Sequence, residues 1–288
     1  MAELAGTDYA GNGTSSISEQ IDALTDPNFM TSFARGLAVL RALSNSHQPK
    51  TVVQISQHTG IPRSAVRRCL YTLDQMGYVG TELNNFGLRP KVLTLGHSYL
   101  SSAPLIALAQ PCLEKLSGNL RESCSLAVLD ENQVLYVARS VTSRVWSVSL
   151  GAGMQLPAYC TSPGRVLLAG LNSQDLDRYL AQVPLLARTE YTVTSPAQLR
   201  EILSSVRREG YAINSEELEV GLRSIAVPVR CASGQVRAAL IVGMQATRVS
   251  ADQMVEKILP VLRQAADELT IQGCPAGISR ITHPISPE

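Results

Sequence analysis

Apolar positions between residues 31 and 91 recur at helical spacing. Phe33, Leu37, Leu40 and Leu43 form one stripe, which Val39 and Ala42 widen. After the loop SNSHQPK, Thr51 suits the N-cap of a helix over 52–58. Thr59-Gly60-Ile61 reads as a tight turn. Pro62 fits the first position of a further helix, which runs to about Met76 and stops at Gly77. In that helix Val66, Leu70 and Leu73 share one face. Arg63, Ser64, Arg67, Arg68 and Tyr71 lie on or beside the opposite face. Residues 78–81 and 86–88, joined through Asn84-Asn85, read as a small hairpin.

Residues 92–120 keep a helical pattern, broken at Pro104 and Pro111. Their apolar Leu93, Leu95, Tyr99 and Leu100 read as a linker with a dimer contact, or as core. From Ser123 the period shortens, and SLAVLD, QVLYVARS and WSVSL are strand-like runs. Helical stretches follow near 163–170, 173–182 and 196–209. Strands return at YAIN, SIAVPV and VRAALIVGM, and a last helix covers about 251–269. This order predicts an α+β protein of two domains, the second around an antiparallel sheet.

The segments are a disordered acidic tail over 1–28, a compact helical and hairpin domain over 29–91 and a linker helix over 92–103. A larger domain over 104–270 and a flexible tail over 271–288 follow. No apolar run reaches the ~18 residues of a membrane span. The start lacks a basic and then apolar leader, so a cytoplasmic chain is expected. Cys69, Cys112, Cys124, Cys160, Cys231 and Cys274 are scattered, which fits reduced thiols better than disulfides.

The net charge is +1, which at first argues against a nucleic-acid partner. Its distribution reverses that. Residues 1–28 hold five acids and no Lys or Arg. Residues 29–91 hold eight bases against Asp74 and Glu82, and the remainder is balanced. The basic excess therefore falls on the predicted helix–turn–helix. In that motif one helix braces a second, whose outward face enters the major groove. Arginine there pairs bidentately with guanine or phosphate. Pro62, Arg63, Ser64, Arg67, Arg68, Tyr71 and Arg89 form the candidate DNA-binding set, with Arg89 beside the hairpin to meet the DNA backbone. The plainer alternative is a solvated basic face on an ordinary helical pair.

The stretch GLAVLRALSNSHQPKTVVQISQHTGIPRSAVRRCLYTLDQMGYV resembles the winged helix–turn–helix of IclR-type bacterial transcriptional regulators. LPAYCTSPGRVLLAG, YAINSEELEVGLRSIAVPVR and AALIVGM resemble their second domain, so the likeness covers about residues 29–270. FMTSFARGLAVL, RPKVLTLGHSYLSS and RESCSLAVLD are similar to the Pca/Pob branch, which regulates protocatechuate, 4-hydroxybenzoate and β-ketoadipate catabolism. The resemblance implies a GAF-like α/β effector-binding domain and a homodimer or dimer of dimers. It also implies a double-stranded DNA operator and a small carboxylate effector. It places Ser162, Pro163, Asn214, Ser224, Ile241 and Gly243 in the effector pocket. Ile241 and Gly243 carry no hydroxyl, which favours a larger or aromatic acid.

The residues themselves add candidates around Tyr159. Ser162 can N-cap a helix with Pro163 next, leaving the N–H groups of Gly164 and Arg165 to attract a carboxylate. The plain alternative is a helix start, as at Ser195-Pro196. Arg223, preceded by Glu216, Glu217 and Glu219, reads either as a partner of an effector carboxylate or of Glu217, or as a surface ion pair. Arg139 and Arg144 read more simply as solvated strand-edge residues.

Signals for catalysis are weak. The chain lacks a phosphate loop and a G-x-S-x-G elbow. Cys160 would need a nearby base, and His47, His58, His97 and His283 fall in the first half or the C-terminal tail. No metal site is expected, because His and Cys never cluster at ligand spacing, and no cofactor is expected. The chain therefore reads as a DNA-binding regulator responding to an aromatic acid. The alternative is an enzyme or small-molecule carrier acting on such acids with an incidental helix–turn–helix.

Overall fold

The computed structural model describes residues 16–44, 48–102, 104–141 and 151–273. The WSVSL run, Arg144, His47, His283 and Cys274 lie outside the described residues. The chain divides near Leu100 into two compact units.

The first unit opens with α1 (Ile17–Asp22), so the expectation of a structureless tail through residue 28 is corrected. Ser16 and Glu19 cap α1 reciprocally. Ile21 is buried in the core of this unit, and Asp22 accepts from Arg35 Nη2 at 2.7 Å. The segment folds because its apolar residue has a core to join. The stripe expected on α2 (Thr31–Ser44) is also corrected. Ala38, Val39, Ala42 and Leu43 are buried, whereas Phe33 and Leu37 are 63% and 45% exposed. The small Ala38 and Ala42 put the buried face on the side that α3 (Val52–Thr59) and α4 (Arg63–Gln75) approach.

Thr51 caps α3 with Gln54 as its reciprocal partner, and Gly60 ends it at φ +73°, a left-handed conformation that glycine adopts without strain. The turn is tied by Ser56 Oγ donating to the Ile61 carbonyl at 2.7 Å. Ile61 is completely buried beside Ile55, Val66 and Leu70. Pro62 precedes α4 as its N-cap rather than opening it. The hairpin is β1 (Val79–Glu82) and β2 (Asn85–Leu88). Its turn residues are Leu83 and Asn84, not Asn84 and Asn85, and both have positive φ, as a two-residue primed turn requires. A short turn leads into α5 (Leu93–Ser102), which carries the chain into the second unit.

The second unit starts with α6 (Pro104–Leu120). Pro104 begins this helix, and Pro111 lies inside it without breaking it, contrary to expectation. The flanking Ala109, Leu113 and Leu116 are buried in the core, and this packing holds the helix through a lost backbone bond. The strands are β3 (Ser123–Asp130), β4 (Gln133–Ser140), β5 (Gln155–Pro157), β6 (Ala212–Ser215), β7 (Leu222–Arg230) and β8 (Val236–Gln245). They form one antiparallel sheet in the order β5-β4-β3-β8-β7-β6. Among the connecting helices are α7 (Ser162–Ala169), α8 (Ser173–Gln182) and α9 (Pro196–Glu209).

The C-terminal helical run comprises α10 (Ala251–Gln253), a π-helical turn (Met254–Ile258) and α11 (Leu259–Gly273). The wider turn precedes Pro260, which has no N–H to continue the regular ladder. Side chains of α6 and α11, including Leu113 and Leu262, share one core with Cys124, Leu126, Leu240 and Val242 of the sheet. Side chains alternate across a sheet, so Ser123, Ser125, Ile241, Gly243 and Ser224 face the other side. That side is covered by α7, every residue of which is buried.

Candidate nucleic-acid interface and ligand cavity

In α4, burial of Val66 and Leu70 turns Arg63, Ser64, Arg67, Arg68 and Tyr71 outward, and all five are exposed. Pro62 is exposed just before them. Arg89 follows β2 and is also exposed, with Nη2 at 3.6 Å from Asp74 Oδ1, an open and weak pair. Cations, a hydroxyl and one ring thus line the first two and a half turns of a helix braced by α3. Beside them stands a two-stranded wing.

The second unit contains a cavity of about 330 Å³ against the covered face of its sheet. Asn214, Ser224, Ile241 and Gly243 line it, as does Arg139. Strand register explains the set. Asn214 on β6 pairs with Ser224 on β7, which pairs with Gly243 on β8, which pairs with Ser123 on β3. Two residues further along β3, Ser125 pairs with both Ile241 and Arg139.

Arg139 is half-buried on the wall and is not the solvated edge residue expected of it. A β-bulge causes this. Ala127 pairs with Tyr136 and Leu126 with Ala138, so Val137 is an extra residue on β4. The inserted residue brings Tyr136 and Arg139, an odd number of positions apart, to the same face. Burial holds the Arg139 guanidinium below its ordinary pKa, opposed by the nearby Tyr136. A partly desolvated cation beside Leu156, Leu218 and Ile241 is a binding partner for an organic anion.

Several expected contacts are committed elsewhere. Thr161, not Ser162, caps α7, its Oγ1 accepting from the Gly164 N–H at 3.3 Å. The Arg165 N–H donates to the Thr161 carbonyl at 3.0 Å. Neither N–H is therefore open to a carboxylate. A Cβ at Gly164 would strike the backbone of Ala158, which is why glycine stands there. Pro163 is buried in the same helix. Ser162 is fully buried, donates from Oγ to Ser224 Oγ at 2.8 Å and is not among the residues lining the cavity.

Arg165 forms a two-bond pair with Glu217, both at 2.7 Å, with side chains only 4% and 9% exposed. Its Nε also donates to the Tyr159 carbonyl at 3.2 Å. Glu217 accepts from Asn214 Nδ2 and the Val193 N–H, each at 3.1 Å. Glu217 and Arg165 thus position Asn214 from behind. Tyr159 donates its hydroxyl to the Leu186 carbonyl at 2.7 Å. Arg223 pairs with neither an effector site nor Glu217. It donates to Ser215 Oγ and to the carbonyls of Ala246 and Val249, pinning the chain after β8. Cys160 is fully buried, which pushes its thiol up to about 12, so it is a poor nucleophile.

A winged helix–turn–helix followed by a unit built round a cavity is the architecture of a DNA-binding regulator. Comparison with known proteins gives the family. The IclR helix-turn-helix domain matches residues 32–82, and the bacterial transcriptional regulator IclR C-terminal domain matches residues 97–271. The Pca regulon regulatory protein of Pseudomonas putida is 48% identical over 256 residues, covering 88% of each chain. The chain belongs to the IclR family of bacterial transcriptional regulators.

Two solved structures of relatives contain hydroxybenzoates. The inducer-binding domain of an Acinetobacter PobR transcription factor double mutant, complexed with 3-hydroxybenzoic acid, is 36% identical. It covers 57% of this chain and 96% of that one at TM-score 0.55. An IclR homologue from Microbacterium hydrocarbonoxydans, complexed with 4-hydroxybenzoate, is 26% identical. It covers 84% of this chain and 98% of that one at TM-score 0.70.

Proposed function

We propose that this regulator controls aromatic-acid catabolism and takes a small aromatic carboxylate into the cavity of its second unit. The observation that carries the reading is Arg139, a half-buried cation on the wall of a cavity with apolar side chains and the hydroxyls of Ser123 and Ser224. The volume of about 330 Å³ suits a single substituted ring. Hydroxybenzoates in two related structures support the same ligand class.

The domains run as 29–91 for DNA reading, 92–103 for the linker and 104–270 for effector binding. In a cytoplasmic homodimer or dimer of dimers, two copies of α4 occupy successive major grooves. Arg63, Arg67 and Arg68 reach bases or phosphates there, and Arg89 meets the backbone. An effector regulates by binding one arrangement of the paired readers more tightly than the other.

Calorimetry with the full chain and 4-hydroxybenzoate tests the reading. Arg139→Gln should weaken binding by about 10- to 100-fold, the worth of a hydrogen-bonded charge. It should leave effector-free binding to a DNA fragment selected from random sequence unchanged. Equal affinity for the acid in wild type and Arg139→Gln would refute the assignment.

A further inference from the structure

Ser123 opens β3, is 6% exposed and lines the cavity, yet its hydroxyl has no hydrogen-bond partner among the described residues. Buried hydroxyls are rarely left so. The neighbouring polar groups differ. Ser224 is engaged with Ser162, and the Asn214 amide donates to Glu217. Next to Ser123 in the register is Gly243, where a Cβ would meet nothing within 4 Å. The absent side chain leaves a slot directly beside the unpartnered hydroxyl.

Arg139 lies across from Ser125, two residues along β3 from Ser123. Ser123 and Arg139 are therefore offset by about 7 Å along the strand and about 5 Å across it. That offset is on the scale of one benzene ring with substituents at both ends.

We propose that Ser123 reads a ring hydroxyl of the acid whose carboxylate meets Arg139, with the ring lying along the sheet face between the two. The inference rests on the aromatic-acid reading of the cavity and makes Ser123 the residue that separates hydroxybenzoates from benzoate. Binding of benzoate, 3-hydroxybenzoate and 4-hydroxybenzoate to the full chain is measured by calorimetry for wild type, Ser123→Ala and Ser123→Thr. Wild type should prefer at least one hydroxylated acid. Ser123→Ala should weaken that acid about tenfold, the worth of one neutral hydrogen bond. It should leave benzoate within about twofold, whereas Ser123→Thr keeps the preference.

Thermal unfolding without ligand separates a structural role, since removing an unpartnered buried hydroxyl should not lower the melting temperature. Equal loss for benzoate and hydroxybenzoates, or an unchanged preference in Ser123→Ala, overturns the role of Ser123 while leaving the cavity assignment standing. Failure of all three acids to bind wild type overturns the cavity reading and this inference with it.

Discussion

Removing Arg165 should damage the second unit more than any surface substitution, because of what it leaves behind. Arg165→Ala deletes two 2.7 Å charge-assisted bonds and strands Glu217, 9% exposed, on two 3.1 Å bonds from Val193 and Asn214. Breaking a buried pair from one side costs about 3–5 kcal/mol. In a unit of this size each kcal/mol moves the melting temperature by about 2–4 °C, so the second unit should melt roughly 6–20 °C lower.

Differential scanning calorimetry on the full chain reads this loss. The double variant Arg165→Met with Glu217→Leu completes the test, because it removes both charges at once. It should melt above either single variant, although Val193 and Asn214 lose an acceptor. The reasoning is refuted if Arg165→Ala costs less than about 1 kcal/mol, as an exposed pair would. It is equally refuted if the double variant loses the sum of the two singles, which would mean the side chains do not interact.

Three other outcomes are expected. Arg68→Ala should lose about 1–3 kcal/mol of DNA binding with relaxed specificity at one position if it reads a base, or lose about one unit of salt slope if it holds a phosphate. Ile21→Ala should destabilise the first unit by roughly 2–4 kcal/mol in denaturant titration, because α1 contributes to its core; an unchanged midpoint would mean α1 is not docked in solution. Burial raises the thiols of Cys124 and Cys160 from 9.0 to about 12. The unfolded chain therefore holds fewer protons above pH 9, and stability should fall as pH rises past that point. Each thiol contributes up to about 1.4 kcal/mol per pH unit. A flat stability profile from pH 9 to 11 would contradict it.

Helix capping, turn chemistry and charge are local, so the chain carries them to within a residue: the cap of α7 falls on Thr161 beside Ser162, and the hairpin turn on Leu83-Asn84 beside Asn84-Asn85. Thr51 caps α3 as read and the helix runs one residue past 58 into the turn at Gly60, and the outward face of α4 follows from Val66 and Leu70 taking the inward one. Where a local rule had two solutions, packing chose. Phe33 and Leu37 fit a helical stripe, but the buried face of α2 passes through Ala38 and Ala42. Pro111 is a helix breaker by propensity, yet it lies within α6 because the residues around it are needed in the core.

The cavity depended on relations the linear pattern does not carry. Asn214, Ser224, Ile241 and Gly243 were expected together only through resemblance, and the sheet register brings them together. Arg139 reads along the chain as a solvated strand-edge residue, and one extra residue in β4 turns it onto the cavity wall. Arg165 and Glu217, separated by 52 positions, are joined by a bond that depends on where α7 settles on the sheet. The sequence by itself determined the two units, the basic helix face and most of the element order, because periodicity and capping act over a few residues; α1, β5 and the passage of α6 through Pro111 depended on packing. Only the tertiary structure decided which charges are buried within the fold and which line the cavity, because that depends on register and burial across distant strands.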